Sequence, residues 1–206
     1  MAGLATVLIL VDLVVSRKGL LATVALVGLV VPLGFTIALW REMDGEGAFE
    51  PVGIFGAFTV DKFSLFFSFL FIGVAALVVL ISTGYVKKFH RFEAEFYALV
   101  IFSVTGMMLL ASTLDLITIY ISLELTALPL AALAAFSRDS RSSESGMKFL
   151  ILSAISSAVL LYGMVLVYGF TGSTMLSDVA ARLAGMGLSS DVPFGSHALL
   201  MGIVLM

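Results

Sequence analysis

The chain of 206 residues is 61% hydrophobic and only 12% charged, where a soluble domain carries roughly 25% charged residues, and its mean hydropathy of +1.17 predicts an integral membrane protein. Its net charge of -3 is small and its eleven Lys and Arg form no long basic run, so nothing supports nucleic-acid binding. Because the chain has no cysteine and its two histidines, His90 and His197, lie far apart, we expect no disulfide, iron–sulfur cluster or metal site in it.

Six apolar segments predict transmembrane helices, since about 20 helical residues cross a hydrocarbon core. They are residues 1–15, 20–40, 63–81, 96–111, 114–136 and 147–170. A seventh apolar run starts at His197 and stops at Met206, so we expect the chain to be an N-terminal fragment of a longer protein. The predicted fold class is an all-α polytopic transmembrane helix bundle with about six complete spans and the start of a seventh.

Local signals refine this order. Pro32 predicts a kink in the second span, and Trp40 is typical of a residue anchored at the membrane interface. Residues 171–191 carry apolar side chains at helical spacing, with Asp178 and Arg182 four apart, which predicts a short amphipathic helix lying in the interface.

Lys and Arg are unevenly distributed between the loops. The loops after the first, third and fifth spans hold seven of them, and the loops of the opposite side hold three. Because cytoplasmic loops carry an excess of Lys and Arg, we predict that the amino terminus lies outside.

The fifth predicted span, Leu114–Phe136, contains a carboxylate and a proline. Glu124 falls near mid-membrane, where a charge costs roughly 2.5–3.5 kcal/mol on insertion scales, so such residues usually face a protein interior or a wet cavity. Pro129 has no N–H for the carbonyl of Leu125 and predicts a kink. We interpret Glu124 as functional; the alternative is a buried glutamate that only locks helix packing.

Polar residues near this span have structural alternatives too. Asp115 in the first turn suits the positive end of the helix dipole, and Ser112 or Thr113 could cap the helix. Lys148 follows Glu144 by four residues, an order that favours an ion pair, and a lysine at a helix end can reach water.

The functional interpretation is that Lys148 lies on a proton path to Glu124. Burial lowers the pKa of a lysine and raises that of a glutamate, so neighbouring charges can switch either group. Hydroxyls of Tyr120, Ser122 and Thr126 could line the path, although Ser and Thr in membrane helices more often bond the backbone or allow close packing.

Two strings carry a resemblance to a known family. SLELTALPLAALAAF (Ser122–Phe136) and SSESGMKFLILSAISSAVLLYGMVLVYGFTGST (Ser142–Thr174) resemble the antiporter-like membrane subunits of respiratory complex I, an NADH-quinone oxidoreductase. The Leu128-Pro129 step and the Tyr-Gly pairs of the second string resemble the subunit N branch more than the L, M and Mrp-type antiporter branches.

The resemblance implies a proton-pumping subunit in a cell membrane, by analogy the bacterial plasma membrane. By position, Glu124 and Lys148 match a family glutamate of the fifth helix and a family lysine at the start of the sixth. The lysine that the family pairs with this glutamate, in a broken seventh helix, has no counterpart here. Phe149 stands where relatives commonly carry a tyrosine, which removes a hydroxyl from the path.

The resemblance also implies the surroundings of the chain. NADH, FMN, iron–sulfur clusters and quinone are expected in other subunits, with no cofactor here, and the partners are other membrane subunits and the lipid bilayer. Residues 1–95 would form the N-terminal helices and residues 96–206 the start of the antiporter-like helix repeat. Alternatives are an Mrp-type cation/proton antiporter subunit and a structural membrane scaffold.

Overall fold

The computed structural model describes residues 1–14, 20–44, 57–86, 92–185 and 194–206. Helices are the main elements of these ranges, which contain two isolated β-bridges. In chain order the helices are α1 (Ala2–Val14), α2 (Leu20–Asp44), α3 (Lys62–Val86), α4 (Glu93–Ser112), α5 (Leu116–Ala134), α6 (Ser140–Thr171), α7 (Leu176–Gly185) and α8 (Phe194–Leu205).

Within these ranges the five helices α2 to α6 are long and apolar enough to cross a membrane. This confirms the all-α, multi-pass membrane fold. The first predicted span is the 13-residue helix α1, shorter than the about 20 residues that a crossing needs, so the count of six complete spans is not confirmed. The orientation stays a prediction, and the basic residues at 17–18 and 87–91 on which it depends lie outside the described residues.

Helix α6 begins earlier than its sequence predicts. The sixth predicted span began at residue 147, but the helix starts at Ser140, where Asp139 accepts a hydrogen bond from the Ser142 N–H at 2.6 Å. The Ser142 hydroxyl also donates to the carbonyl of Ala134 at 2.7 Å. These caps extend α6 to 32 residues, about 48 Å, which exceeds a hydrocarbon core of about 30 Å.

The core of the first half is a layer of small and branched side chains between α1, α2, α3 and α4. Helix α4 contributes a buried stripe at helical spacing, which includes Ala94, Tyr97 and Ile101, and Leu8 of α1 and Leu21 of α2 pack against it. Helix α4 also packs on α5 along its other side. It therefore connects the N-terminal helices to the helix that holds Glu124.

The connection between α4 and α5, residues 112–116, is held on both sides by backbone hydrogen bonds, and we call it the α4–α5 junction. On one side the Leu114 N–H donates to Ala57 O at 3.0 Å; on the other, the Leu116 N–H donates to Thr174 O at 2.9 Å. Segments that lie 57 and 58 residues away in sequence are therefore joined at this end of the bundle. Sequence periodicity gives no signal for such contacts.

The cap of α5 is Asp115, which corrects the expectation of Ser112 or Thr113. Its Oδ2 accepts from the backbone N–H of Thr118 at 3.0 Å and from the Thr118 hydroxyl at 3.1 Å. The Ser112 hydroxyl instead donates back into α4, and the Thr113 hydroxyl donates to Ala57 O. Asp115 thus has the structural role that its sequence position indicates.

The same contacts change the pKa of Asp115. Burial by itself disfavours the carboxylate, but hydrogen bonds from the Thr174 side chain, from the backbone and hydroxyl of Thr118 and from the Ile117 backbone outweigh it. The pKa of Asp115 is therefore lowered from its ordinary value of 3.8. Because the folded-state pKa is the lower one, the stabilisation is complete above 3.8 and is lost as the pH falls through the folded-state pKa.

We predict that Asp115→Ala destabilises the fold by about 1–2 kcal/mol, the typical effect of removing a helix N-cap. Thermal unfolding in detergent would measure this. Asp115→Asn is the matched variant, since Asn caps as well as Asp. It should keep most of the stability at neutral pH. Its stability should fall less steeply below pH 3.8, because it has no carboxylate at this position to be protonated. Equal stability of the alanine variant and the parent would contradict this role.

The predicted amphipathic helix is confirmed as α7, although it is shorter than residues 171–191. Its apolar residues Leu176, Val179 and Leu183 pack on Leu116 of α5 and Met164 of α6. The predicted pair of Asp178 with Arg182 is absent among the described side chains. Asp178 instead accepts from the Ser173 hydroxyl at 2.9 Å, a nearer partner in the preceding turn.

Helix α8 crosses α6 at two glycines. A Cβ on Gly163 would lie 2.8 Å from Gly202 O, and a Cβ on Gly202 would lie 3.0 Å from Gly163 O. Side chains at either position would separate the helices, so this crossing depends on small residues, as is common between membrane helices.

Candidate functional site

Glu124 lies on the face of α5 that packs against α6. It follows Leu116 and Tyr120 at intervals of four residues, and residues four apart share a helix face. At one end of this face, Leu116 packs in a cluster with Met164 of α6. At the other end, Ala131 lies against Gly146 of α6. Glu124 lies between these two contacts, in the seam between α5 and α6.

The Glu124 side chain is half-buried, and within the described ranges its carboxylate has no hydrogen bond and no ion pair. An unpaired carboxylate in the middle of an apolar helix is costly and is characteristic of functional positions in membrane proteins. The prediction that Glu124 has an environment inside the protein is therefore supported by its position, and its role stays a prediction.

Ser122 and Thr126 lie on the opposite face of α5, towards α4. Ser122 is fully buried, and its hydroxyl donates to Thr118 O at 2.7 Å, while the Thr126 hydroxyl donates to Ser122 O at 2.9 Å. Both hydroxyls thus use their protons within their own helix, which favours the backbone-bonding alternative. In this arrangement they do not connect Glu124 to Lys148.

Two residues of α4 that sequence reasoning missed hold α5 at this level. Gly106 allows the close approach, because a Cβ there would lie 2.5 Å from the Thr126 Oγ1 and 2.8 Å from Ser122 O. The Ser103 hydroxyl donates to Thr126 O at 3.2 Å. The signal was the spacing of a serine and a glycine three residues apart in an apolar helix, which is typical of close helix packing.

Pro129 is buried, and α5 continues through it to Ala134. The proline cannot donate to the carbonyl of Leu125, so the turn after Glu124 lacks one internal hydrogen bond. The hydrogen bond from Ser103 reaches the neighbouring carbonyl, that of Thr126, and so helps to satisfy this weakened turn from outside. The helix therefore stays continuous through Pro129, and the kink stays a prediction.

Tyr120 lies one turn from Glu124 in the same seam and lines a cavity of about 280 Å³ between α5 and α6. The remaining wall is mainly apolar and includes Leu116, Met164 and Tyr168. The cavity lies at the end of the seam near the α4–α5 junction, because Thr174 also lines it. The phenol groups of Tyr120 and Tyr168 both lie on its wall.

Lys148 is separated from Glu124. Its Nζ bonds Glu144 Oε1 at 2.5 Å, and its side chain is 69% exposed. It follows Gly146 by two residues, a rotation of about 200° around α6. Its side chain therefore points to nearly the opposite side of α6 from the one that faces α5. The antiparallel register set by Gly146 between Ala131 and Ala135 puts it about 10 Å from Glu124 along the helix axes. The structure therefore does not bring the two predicted proton carriers together, and an exposed pair such as this contributes at most about 0.5 kcal/mol.

Comparison with known proteins gives the family. A model of the NADH:quinone oxidoreductase/Mrp antiporter transmembrane family matches residues 113–206. NADH-quinone oxidoreductase subunit N of Dehalococcoides mccartyi is 38% identical over 206 residues, which cover 98% of this chain and 40% of that protein. The same subunit of Desulfitobacterium hafniense is 47% identical over 129 residues, which cover 62% of this chain and 26% of that protein. The chain thus spans at most about two fifths of these relatives.

Solved structures agree with the described helices. A chain of respiratory complex I from Thermus thermophilus with bound aureothin matches with a TM-score of 0.68 and 30% identity, over 98% of this chain and 42% of that one. A chain of the membrane-bound sulfane sulfur reductase, an archaeal respiratory membrane complex, matches with a TM-score of 0.73 and 19% identity, over 98% of this chain and 40% of that one; this likeness concerns the fold alone. By sequence along almost its whole length and by fold, the chain belongs to the family of antiporter-like membrane subunits of NADH-quinone oxidoreductase.

Proposed function

We propose that this chain is part of a proton-translocating membrane subunit of NADH-quinone oxidoreductase, in which Glu124 takes up and releases a proton. The observation that carries the proposal is the half-buried, unpaired Glu124 in the seam between α5 and α6. A carboxylate without a fixed partner can change its protonation state without breaking an ion pair. Quinone reduction elsewhere in the complex would drive this change.

The other residues of the site have distinct roles in this proposal. Tyr120 and the cavity beside it give a route from Glu124 towards the α4–α5 junction. Thr126 fixes the backbone around Glu124, because its carbonyl accepts from Ser103 of α4 and its hydroxyl donates to Ser122 O. Pro129 leaves the turn after Glu124 one hydrogen bond short. Lys148 lies outside the seam, on the exposed side of α6, where its charge is paired with Glu144; proton exchange with Glu124 would need groups between them.

The remaining expectations concern the complex to which this chain would belong. The partners are other membrane subunits and the lipid bilayer, the location is a bacterial plasma membrane, and NADH, FMN, iron–sulfur clusters and quinone belong to other subunits. Residues 1–95 form the N-terminal helices, and residues 96–206 begin the antiporter-like repeat. The translocase activity belongs to the assembled complex, and this chain itself carries out no redox chemistry.

An Mrp-type cation/proton antiporter subunit is the second candidate, because the matching family description includes both kinds of protein. A structural scaffold is a weaker one, since an inert scaffold gains nothing from an unpaired carboxylate in an apolar helix.

Mild-detergent purification of the tagged chain from its native membrane separates the two transport functions. We predict that flavin, iron–sulfur absorbance and NADH oxidation copurify with it, and that vesicles containing the purified complex acidify or alkalinise only when NADH and a quinone are supplied. Isolation with membrane subunits alone, together with sodium–proton exchange in vesicles without NADH, would favour the antiporter instead.

A further inference from the structure

We infer that Ser157 of α6 is the positioning residue of Glu124: its hydroxyl binds the carboxyl group across the α5–α6 seam. The inference rests on the proposed function of Glu124 and adds a residue to the site. It follows from the register of two packed helices and from an unused hydrogen-bond donor.

The register follows from contacts on either side of Glu124. Gly146 lies against Ala131 and Ala135, and α5 and α6 run antiparallel because they are joined by a short turn. Counting nine residues back along α5 from the middle of that contact reaches Glu124, and nine residues forward along α6 reach residue 155. The cavity contacts at the other end, counted in the same way from Tyr120 and its neighbours, give about residue 158.

Burial selects Ser157 among these positions. It is half-buried, whereas Ile155, Ser156, Ala158 and Val159 around it are exposed. It lies four residues after Ser153 and three before Leu160, on the same α6 face as Met164, which packs on α5. Glu124 and Ser157 therefore occupy facing positions in one seam.

The direction of the side chains supports the same pair. Side chains on a helix lean towards its amino terminus, so Glu124 leans towards Tyr120. In the antiparallel partner this direction leads towards Leu160. Ser153, which is also half-buried, lies level with about residues 126–129 and therefore on the other side of Glu124 from Tyr120.

The hydroxyl of Ser157 is unused among the described hydrogen bonds, as is that of Ser153 one turn earlier. Buried and half-buried hydroxyls of the membrane-spanning helices usually donate to a backbone carbonyl three or four residues earlier; examples are Thr36, Ser68, Thr105, Ser122, Thr126 and Thr171. Within the described residues the Ser157 hydroxyl makes no such bond. A free donor thus lies level with a free carboxylate, and both groups lack another described partner.

A serine suits a carboxyl group that changes protonation state. Its hydroxyl can donate to the carboxylate, and its lone pairs can accept from the protonated acid. The serine keeps its own proton in both states, so it orients the acid and is not itself a carrier. Direct contact requires a rotation about the side-chain bonds of Glu124, since no hydrogen bond joins the two groups in the present arrangement.

The test uses the assembled complex with Ser157→Ala, Ser157→Thr and Ser156→Ala in this subunit. Redox-induced infrared difference spectra report the carboxylic acid band of Glu124, which Glu124→Gln identifies by removing it. We expect Ser157→Ala to shift this band to higher frequency and to lower proton translocation about tenfold. Ser157→Thr retains a hydroxyl and should restore both, and Ser156→Ala, at an exposed neighbouring position, should change neither.

The outcomes separate this inference from the proposed function. A Glu124 band that is unchanged in Ser157→Ala would overturn the inference, even where Glu124→Gln abolishes translocation. Normal translocation in Glu124→Gln would instead overturn the proposed function, and the inference with it. A band shift in Ser157→Ala that threonine fails to reverse would assign the effect to packing, which also contradicts the inference.

Discussion

Glu124→Gln is expected to lower proton translocation by about tenfold or more while the complex still assembles. Glutamine keeps the shape and much of the polarity of the side chain but cannot take up a proton at physiological pH. Positioned proton-transfer groups contribute roughly 10²- to 10⁴-fold to enzymatic rates, so loss of this group should dominate the transport rate. Proton uptake by vesicles that contain the complex, with NADH as the electron donor, measures the effect.

Assembly should survive this change because no described hydrogen bond or ion pair depends on the Glu124 carboxylate. Glu144→Gln is the matched control: it removes a carboxylate from the exposed pair with Lys148, and such pairs contribute little. The control should translocate protons at nearly the parental rate. If Glu124→Gln matched the control, only the scaffold interpretation would remain.

The sequence predicted the features of this site that depend on residues close together in the chain. Hydropathy gave the membrane helices, the charge cost at mid-span singled out Glu124, and the spacing of Leu176, Val179 and Leu183 gave α7. Each of these signals lies within one helix. They therefore do not depend on which helix packs beside which.

What the sequence could not predict depends on contacts between helices. The i, i+4 spacing paired Lys148 with Glu144 correctly, but the direction of Lys148 around α6 became known only from the position of Gly146 against α5. The cap on α5 was placed too early because Ser112 and Thr113 are good caps in isolation. They bond elsewhere only because Ala57 and α4 lie beside them.

Gly106→Ala is the second variant with a large expected effect, this time on stability. The added Cβ would lie 2.5 Å from the Thr126 Oγ1 and 2.7 Å from the Thr126 backbone nitrogen. Backbone atoms within a helix cannot yield separately, so α4 and α5 must move apart along their contact. Overpacking of this kind costs about 1–3 kcal/mol, and alanine recovers up to about 1 kcal/mol through its helix propensity.

Gly73→Ala in α3 separates the steric effect from helix propensity, because nothing lies within 4 Å of the added Cβ there. This control should be as stable as the parent or more stable by up to about 1 kcal/mol. Thermal unfolding of the purified chain in detergent, followed by circular dichroism, should give a lower unfolding midpoint for Gly106→Ala than for Gly73→Ala or the parent. Equal midpoints for the two alanine variants would show that α4 and α5 approach less closely than the Gly106 contacts indicate.

The two large effects should also differ in kind. Separation of α4 from α5 would break the hydrogen bond from Ser103 to Thr126 O and release the turn that Pro129 weakens, next to Glu124. We therefore expect Gly106→Ala to lower both the unfolding midpoint and proton translocation. Glu124→Gln should lower translocation alone, because the close packing on the α4 side of α5 positions the carboxylate and does not depend on its charge.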